Sequence, residues 1–257
     1  MVLLEHYVKE MDIEVEPFAL CLIDSGWRLT LPGPPVAMLH FIVQGEGWVI
    51  SSDRPRQRVG PNSLIVIPPG VIHSLESMDE IRDELCIECA PEGPPVHRIK
   101  AGSGEDLGMV VGCGTLCVHF GEAFGLFDRL KQTLVVDLSD NPEVPILYQG
   151  MLSEQASTAT GKLMLQGAIM TQLLVHMFHK MSEQKDTSLP WLAALNDPRL
   201  ATALGLILDD PGAEHSIDTL AGAADMSALE FTQAFQDGFG HSPMTLAQQL
   251  CKEKAPV

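Results

Sequence analysis

Cysteine, threonine and histidine side chains share one face of a predicted strand near the middle of the sequence. Within residues 109–120, Cys113, Thr115, Cys117 and His119 are spaced two apart, and side chains two apart on a strand point to the same side. Cysteine and histidine are common zinc ligands. The face therefore carries residue types of a zinc-type site, and packing into an apolar core is the alternative interpretation.

The elements that would position these residues change in kind near residue 120. Between residues 18 and 120 the sequence consists of short β-like runs separated by Gly and Pro turns, a pattern typical of a barrel or sandwich. From residue 121 the apolar residues follow helical spacing. The predicted strands are 18–23, 38–43, 48–51, 63–67, 85–89 and 109–120.

An apolar stripe runs along the predicted helix over residues 161–183, and it has two interpretations. The stripe could pack onto the barrel, or it could pack against a second copy of the chain. Its members are Leu163, Met170, Leu173, Leu174, Met177 and Met181.

Two short helices with helix-turn-helix proportions are predicted after residue 215. Ser216 has the position of an N-cap for the first helix, and Ser227 with Glu230 has the spacing of a capping box for the second. Gly240 ends the second helix. The inward face of that helix is predicted to carry Phe231, Phe235 and Phe239.

These motifs resemble two domains that occur together in a known protein family. The segments WLAALNDPR (191–199), SIDTLA (216–221), ADMS (224–227) and GHSP (240–243) resemble the first helix-turn-helix of AraC-like transcription regulators. Upstream, HFIVQGEGW (40–48) and IPPGVIH (67–73) resemble the cupin-type sensing domain that one branch of this family carries. Together the resemblance spans residues 18–250.

The resemblance implies an α+β chain, mostly β in its N-terminal half, in which a cupin-like β-barrel is followed by helices and a small all-α helix-turn-helix domain. We expect the sensing barrel over residues 1–120, a helical segment for dimerisation over 121–185, and a truncated first helix-turn-helix unit over 190–257. The family carries a second such unit, and no residues for it follow Val257. We therefore expect a chain that is either naturally short or cut.

The resemblance also implies a candidate site in the barrel, where we expect His40, His73 and Trp48 to contact an effector. Cupin metal centres usually take His-x-His and Glu from the first motif and one His from the second. Residues 31–38 contain no His, whereas His73 follows the Pro-Pro-Gly turn at the expected spacing. A transition-metal site would have to be rebuilt from His40 and His73, so no cofactor is firmly expected. A structural role for each histidine is the alternative.

The second predicted helix is the element that would contact DNA in this family. Its matching positions are Ala228, Leu229, Thr232, Gln233 and Gln236. The family usually places Arg on this helix, and none of these positions is cationic. Residues 197–250 contain eight acidic residues and one basic residue, Arg199, which gives a net charge of −7. Because cations that neutralise phosphates supply most of the affinity for DNA, we expect weak or degenerate DNA binding.

The sequence thus predicts an AraC-like transcription regulator, not an enzyme, that senses a small-molecule effector and forms a homodimer through its helical segment. No secretory signal or membrane span is recognisable, the six cysteines are interpreted as free thiols, and the net charge is −18. These features favour the cytoplasm and exclude a membrane partner. Two alternatives stay open: a metal-dependent or metal-binding cupin, and an interaction protein that heterodimerises with full-length regulators.

Overall fold

The computed structural model describes residues 11–15, 19–87, 98–120, 124–156 and 160–254. Strands dominate the first half and helices the second, so the predicted α+β fold is confirmed. The strands are β1 (Met11–Val15), β2 (Ala19–Asp24), β3 (Trp27–Leu31), β4 (Ala37–Gly45), β5 (Gly47–Ser51), β6 (Arg54–Val59), β7 (Ser63–Ile67), β8 (His73–Ser77), β9 (Asp83–Cys86), β10 (Arg98–Ala101), β11 (Leu107–Phe120), β12 (Phe124–Gly125) and β13 (Leu134–Asp137). The helices are α1 (Val144–Ala156), α2 (Lys162–Glu183), α3 (Pro190–Leu195), α4 (Pro198–Asp209), α5 (Ile217–Ala223), α6 (Ala228–Phe239) and α7 (Pro243–Lys254).

The described residues form two compact units. The barrel unit consists of Ile13–Cys117 and Leu130–Lys180. The helical unit consists of the described residues of Met1–Asp12, Val118–Arg129 and Met181–Val257. The predicted helical segment 121–185 is therefore divided between the two units.

Two sheets build the barrel unit. The first has the order β10-β2-β11-β4-β7-β13, with β1 and β12 also paired to β11, and the second has the order β6-β5-β8-β3-β9. In the first sheet His40 on β4 lies opposite Cys113 and Ile65 on the neighbouring strands. In the second sheet His73 on β8 lies opposite Leu31 and Ser51.

The main core lies between these sheets. Strand β7 shows why, because all five of its residues are buried, as expected for a strand that is covered on both faces. Ile65 and Ile67 belong to the core. On the α1 side, the Tyr148 hydroxyl donates a 3.3 Å hydrogen bond to the Ser63 carbonyl of β7, and the Tyr148 ring centroid lies 4.8 Å from that of Phe41 on β4. The core is formed by Cys21, Ile23, Leu29, Leu31, Ile42, Val49, Val59, Ile65, Ile67, Leu75, Ala101, Met109, Val111 and Cys113.

The apolar stripe of α2 is divided between buried and exposed positions. Met170, Leu173, Leu174, Met177 and Met181 are buried within the chain. Leu163, at the start of the helix, is 57% exposed, and the neighbouring Met164 and Leu165 are exposed too. Packing within the chain therefore accounts for the stripe beyond its first turn.

The helical unit confirms the predicted helix-turn-helix. Ser216 caps α5 in a complete capping box: its hydroxyl accepts from the Thr219 N–H, and the Thr219 hydroxyl accepts from the Ser216 N–H. At the start of α6, the Ser227 hydroxyl accepts a 3.2 Å hydrogen bond from the backbone N–H of Glu230. The left-handed Gly240, with φ of 82°, ends α6 as predicted. The buried face of the helix carries Phe231, Phe235 and Phe239.

Replacing the α6 cap tests how firmly this helix is anchored. We expect Ser227→Ala to lower the free energy of unfolding by about 1 kcal/mol, because it removes the acceptor for the Glu230 N–H. Urea denaturation followed by circular dichroism measures the loss. Ser227→Asn should restore most of the stability, since Asn also caps helices. Equal destabilisation by both variants would contradict the capping role.

Candidate functional site

His40 of β4 and His73 of β8 meet inside the barrel, so the structure brings together two predicted site residues. Their Nε2 atoms lie 2.7 Å apart and their ring centroids 4.8 Å apart. Both side chains are buried, with exposed fractions of 0% and 1%. Because β4 and β8 belong to different sheets, this hydrogen bond joins the two sheets across the interior.

The neighbouring carbonyl of Val71 fixes the positions of the protons in the pair. His73 Nδ1 lies 3.2 Å from this oxygen, which only accepts hydrogen bonds, so Nδ1 carries the proton. His73 Nε2 then accepts the hydrogen bond that His40 Nε2–H donates. His40 Nδ1 is left as a buried acceptor, and it has no hydrogen-bond partner among the described residues.

Burial keeps both imidazoles neutral at pH 7. It lowers the pKa of His73 to about 4, against smaller opposing effects of the Val71 carbonyl and Asp53. Burial and the adjacent His73 lower the pKa of His40 well below its usual value. A charged imidazole in this interior would lose its hydration without gaining a buried counter-ion.

The donors near this pair do not fit a resident metal ion. Cys113 shares the strand register of His40, but burial raises the pKa of its thiol and keeps it protonated. Among the described residues no group of three or more His, Cys, Asp and Glu side chains is arranged to hold a metal; Cys89 lies outside them. Protein zinc sites use at least three such ligands, and the two histidines supply two.

Trp48 lies away from the histidine pair. On β5 it is paired with Arg58 and Glu76, whereas the adjacent Val49 points into the core. The guanidinium of Arg56 lies 4.2 Å from the centre of the Trp48 ring. This tryptophan therefore belongs to a polar cluster on the outer face of the second sheet.

Thr133 forms a polar junction between the two sheets, which the sequence did not indicate. Its Oγ1 lies 3.0 Å from Ser51 Oγ and 3.1 Å from Asp53 Oδ1, and its carbonyl accepts a 2.9 Å hydrogen bond from Arg54. Although partial burial acts to raise the pKa of Asp53, hydrogen bonds from Ser51 and Thr133 hold it below its usual value. Ser51 also lies opposite His73, so the junction is close to the histidine pair.

The exposed surface of α6 presents the predicted DNA-contacting residues together. Leu229 is 79% exposed, and Gln233 and Gln236 are also exposed. Thr232 is half-buried, and its hydroxyl donates a 2.7 Å hydrogen bond to the Ala228 carbonyl. This surface offers amide groups and an apolar side chain to a partner.

Two arginines adjoin this surface. Arg199 binds Asp197 at 2.8 Å and lies 3.8 Å from Glu230, so acids already neutralise its charge. Arg129 is exposed and donates a 3.3 Å hydrogen bond to the Gln236 carbonyl. Arg129 lies 107 residues before Gln236 in the chain, so the net charge of −7 over residues 197–250 does not include it.

Comparison with known proteins agrees with this architecture. The sequence profile described as a cupin matches residues 3–182. The chain belongs to the cupin family. The match extends beyond the predicted barrel boundary at residue 120 and includes α1 and nearly all of α2, so these helices are part of the cupin region.

Curated relatives of this cupin are helix-turn-helix regulators, which confirms the resemblance to AraC-like regulators. An uncharacterized HTH-type transcriptional regulator of Haemophilus influenzae is 28% identical over 87% of this chain and 74% of its own. The HTH-type transcriptional regulator MtrA of Neisseria gonorrhoeae is 23% identical over 92% of this chain and 78% of its own. The RCS-specific HTH-type transcriptional activator RclR of Escherichia coli is 21% identical over 92% of this chain and 79% of its own. Among solved structures, ToxT from Vibrio cholerae O395 aligns over 94% of this chain and 98% of its own, with 10% identity and a TM-score of 0.32.

The neutral pair makes the stability of the cupin barrel depend on pH. Histidines in the unfolded chain bind protons near pH 6.5, whereas folded His73 does so near pH 4. Between these values the unfolded state binds more protons, so stability is complete above about pH 6.5 and falls as the pH is lowered toward 4. Each histidine contributes a slope of up to about 1.4 kcal/mol per pH unit. Urea denaturation at pH values from 7.5 to 4.5 measures how the free energy of unfolding changes with pH.

Two variants test whether the His40–His73 pair causes this pH dependence of stability. His73→Gln should reduce the pH dependence, because it removes one of the two titrating rings. His179→Gln is the matched control, since His179 is an exposed histidine of α2. Identical slopes in the two variants would show that the pair does not cause the effect.

Proposed function

We propose that this chain is a transcription regulator that senses a small-molecule effector through its cupin barrel and that binds DNA only weakly through α5 and α6. The observation that carries the proposal is the surface of α6, which has the form of a recognition helix but presents Leu229 and two glutamines where a DNA-binding helix needs cations. The curated relatives, all helix-turn-helix regulators, support the general assignment.

Charge is the physical reason for expecting weak binding. Contacts to phosphates position a protein on DNA before base contacts can select a sequence. Gln233 and Gln236 have amides suited to base edges, but Glu230 and Asp237 on the same helix repel phosphates. Of the two arginines that adjoin this surface, Arg199 is paired with Asp197, and Arg129 alone does not offset the two acids. We infer that DNA binding requires added cations, from a partner or from a second copy.

We further propose that a second copy of the chain covers the exposed start of α2. Leu163, Met164 and Leu165 are 57%, 81% and 53% exposed, and Ile146 of α1 is 68% exposed. These side chains lie on two helices of one unit, with Ile146 beside Gln172 and Val175 of α2, so a partner lying along α2 would cover them. A homodimer formed here would bring two helix-turn-helix units to one DNA duplex, as two-fold symmetric sites require.

We place the protein in the cytoplasm, where its DNA target would be. In the described part of the chain, none of the helices combines the length and apolarity needed to span a membrane.

Reversing charge on α6 tests the DNA proposal. We expect the wild-type chain to bind a promoter fragment weakly even at low salt. Glu230→Lys with Asp237→Lys should tighten binding at least about tenfold and steepen its salt dependence, because new phosphate contacts release counterions. Fluorescence anisotropy with a labelled duplex measures both. Asp79→Lys with Glu80→Lys is the control, since it makes the same change in net charge at exposed sites of the barrel unit. Tight, strongly salt-dependent binding by the wild type would contradict the proposal.

Introducing charge on α2 tests the dimer. We expect Met164→Glu with Leu165→Glu to shift a dimeric wild-type chain to monomer, because carboxylates in an apolar interface lose hydration without gaining partners. Light scattering coupled to size exclusion measures the mass. His179→Glu, at an exposed site on the same helix, should leave the dimer intact. A wild-type monomer, or a dimer that survives the double variant, would exclude this interface.

A further inference from the structure

A cleft opens where the edges of the two sheets meet in the barrel unit. Strand β6 is at the edge of the second sheet and β13 is at the edge of the first. Near Thr133 the seam between them is closed by hydrogen bonds to Ser51, Asp53 and Arg54. Further along β13 it widens into a cleft of about 400 Å³. A volume of this size suits a small organic molecule.

The floor of the cleft is apolar and one wall is held by backbone hydrogen bonds. Val59, Pro61 and Val135 form apolar lining. The wall is the turn from β6 to β7, in which the Gly60 N–H donates to Ser63 Oγ at 3.1 Å and the Ser63 N–H donates back to the Gly60 carbonyl at 3.0 Å. This turn gives a bound molecule a preformed surface, which reduces the entropy lost on binding.

The rim of the cleft is charged and selects the sign of a ligand. Glu46, Arg58 and Asp137 line it, and Arg58 is already paired with Glu46. Asp137 accepts a 2.9 Å hydrogen bond from the Ser139 N–H through Oδ1. The rim therefore has one more carboxylate than guanidinium. An anionic ligand would have to separate Arg58 from Glu46 while facing Asp137, whereas a cation would meet a carboxylate directly.

The histidine pair makes the barrel interior less suitable than the cleft for binding a small molecule. Its two Nε2 atoms bond to each other, and the residues around them form a buried core. The net charge of −18 also favours approach of a cation over an anion.

We propose that the cleft between β6 and β13 is the effector site and that it binds a small cationic amphiphile, an amine on a compact apolar body. The ammonium group binds Asp137 at the rim, and the apolar body covers Val59 and Val135. This inference deepens the proposed function and rests on it, because it names the ligand class of the sensing unit.

Three probes with the same ring separate charge from apolar burial. Isothermal titration calorimetry of the full chain without DNA compares cyclohexylmethylamine, cyclohexylmethanol and cyclohexanecarboxylate. We expect the amine to bind about tenfold more tightly than the carboxylate, with the alcohol between them, as one close charge interaction implies. Asp137→Asn should weaken the amine about three- to tenfold and leave the alcohol unchanged. Equal binding of amine and carboxylate, or no amine binding below about 10 mM, would overturn the proposal.

A glycine substitution locates the site. A Cβ at Gly60 would meet no atom closer than 3.7 Å, so Gly60→Leu is compatible with the backbone and places its side chain in the cleft. This variant should weaken the amine at least about tenfold by occupying the site. Gly222→Leu adds the same side chain on α5, where a Cβ would meet nothing within 4 Å, and should bind the amine like the wild type. Unchanged binding by Gly60→Leu would overturn the assignment. Calorimetry involves no DNA, so its failure leaves the regulator proposal to the anisotropy experiment.

Discussion

The hydrogen bond between His40 and His73 is the polar constraint around which the cupin barrel is organised. It links the two sheets beside a core of aliphatic, thiol and thioether side chains. Such an interior admits two imidazoles only when both are neutral and each has a partner. The Val71 carbonyl orients His73, and His73 in turn accepts from His40.

In the barrel unit this constraint leaves ligand contacts to the surface. Because the pair uses both Nε2 atoms on each other, ligand contacts are more readily made at the seam, where Thr133 closes one end and the charged cleft opens the other. In the helical unit the phenylalanine face of α6 is buried, so a partner of this helix would contact Leu229, Gln233 and their acidic neighbours. In both units the scaffold carries an acidic surface, which disfavours phosphates and carboxylates as partners.

Local patterns predicted much of this structure, and contacts between distant segments account for the rest. The caps at Ser216 and Ser227 and the spacing of the phenylalanines depend only on neighbouring residues. The motifs also indicated both histidines, but a motif does not fix strand parity, and a shift of one residue places Trp48 on the outer face. Asp53 and Thr133 are 80 residues apart, so no local signal connects them. The same holds for Arg129 and Gln236 of α6, which are 107 residues apart.

The protonation of the histidine pair tests the central claim most directly, because it distinguishes a neutral link between sheets from a metal ligand or a charged site. Nitrogen-15 NMR of the imidazoles at pH 7 reports which ring nitrogens carry protons. We expect two neutral rings, with the proton on Nε2 of His40 and on Nδ1 of His73. A doubly protonated ring, or metal-induced shifts of either Nε2 in protein purified without chelator, would contradict it.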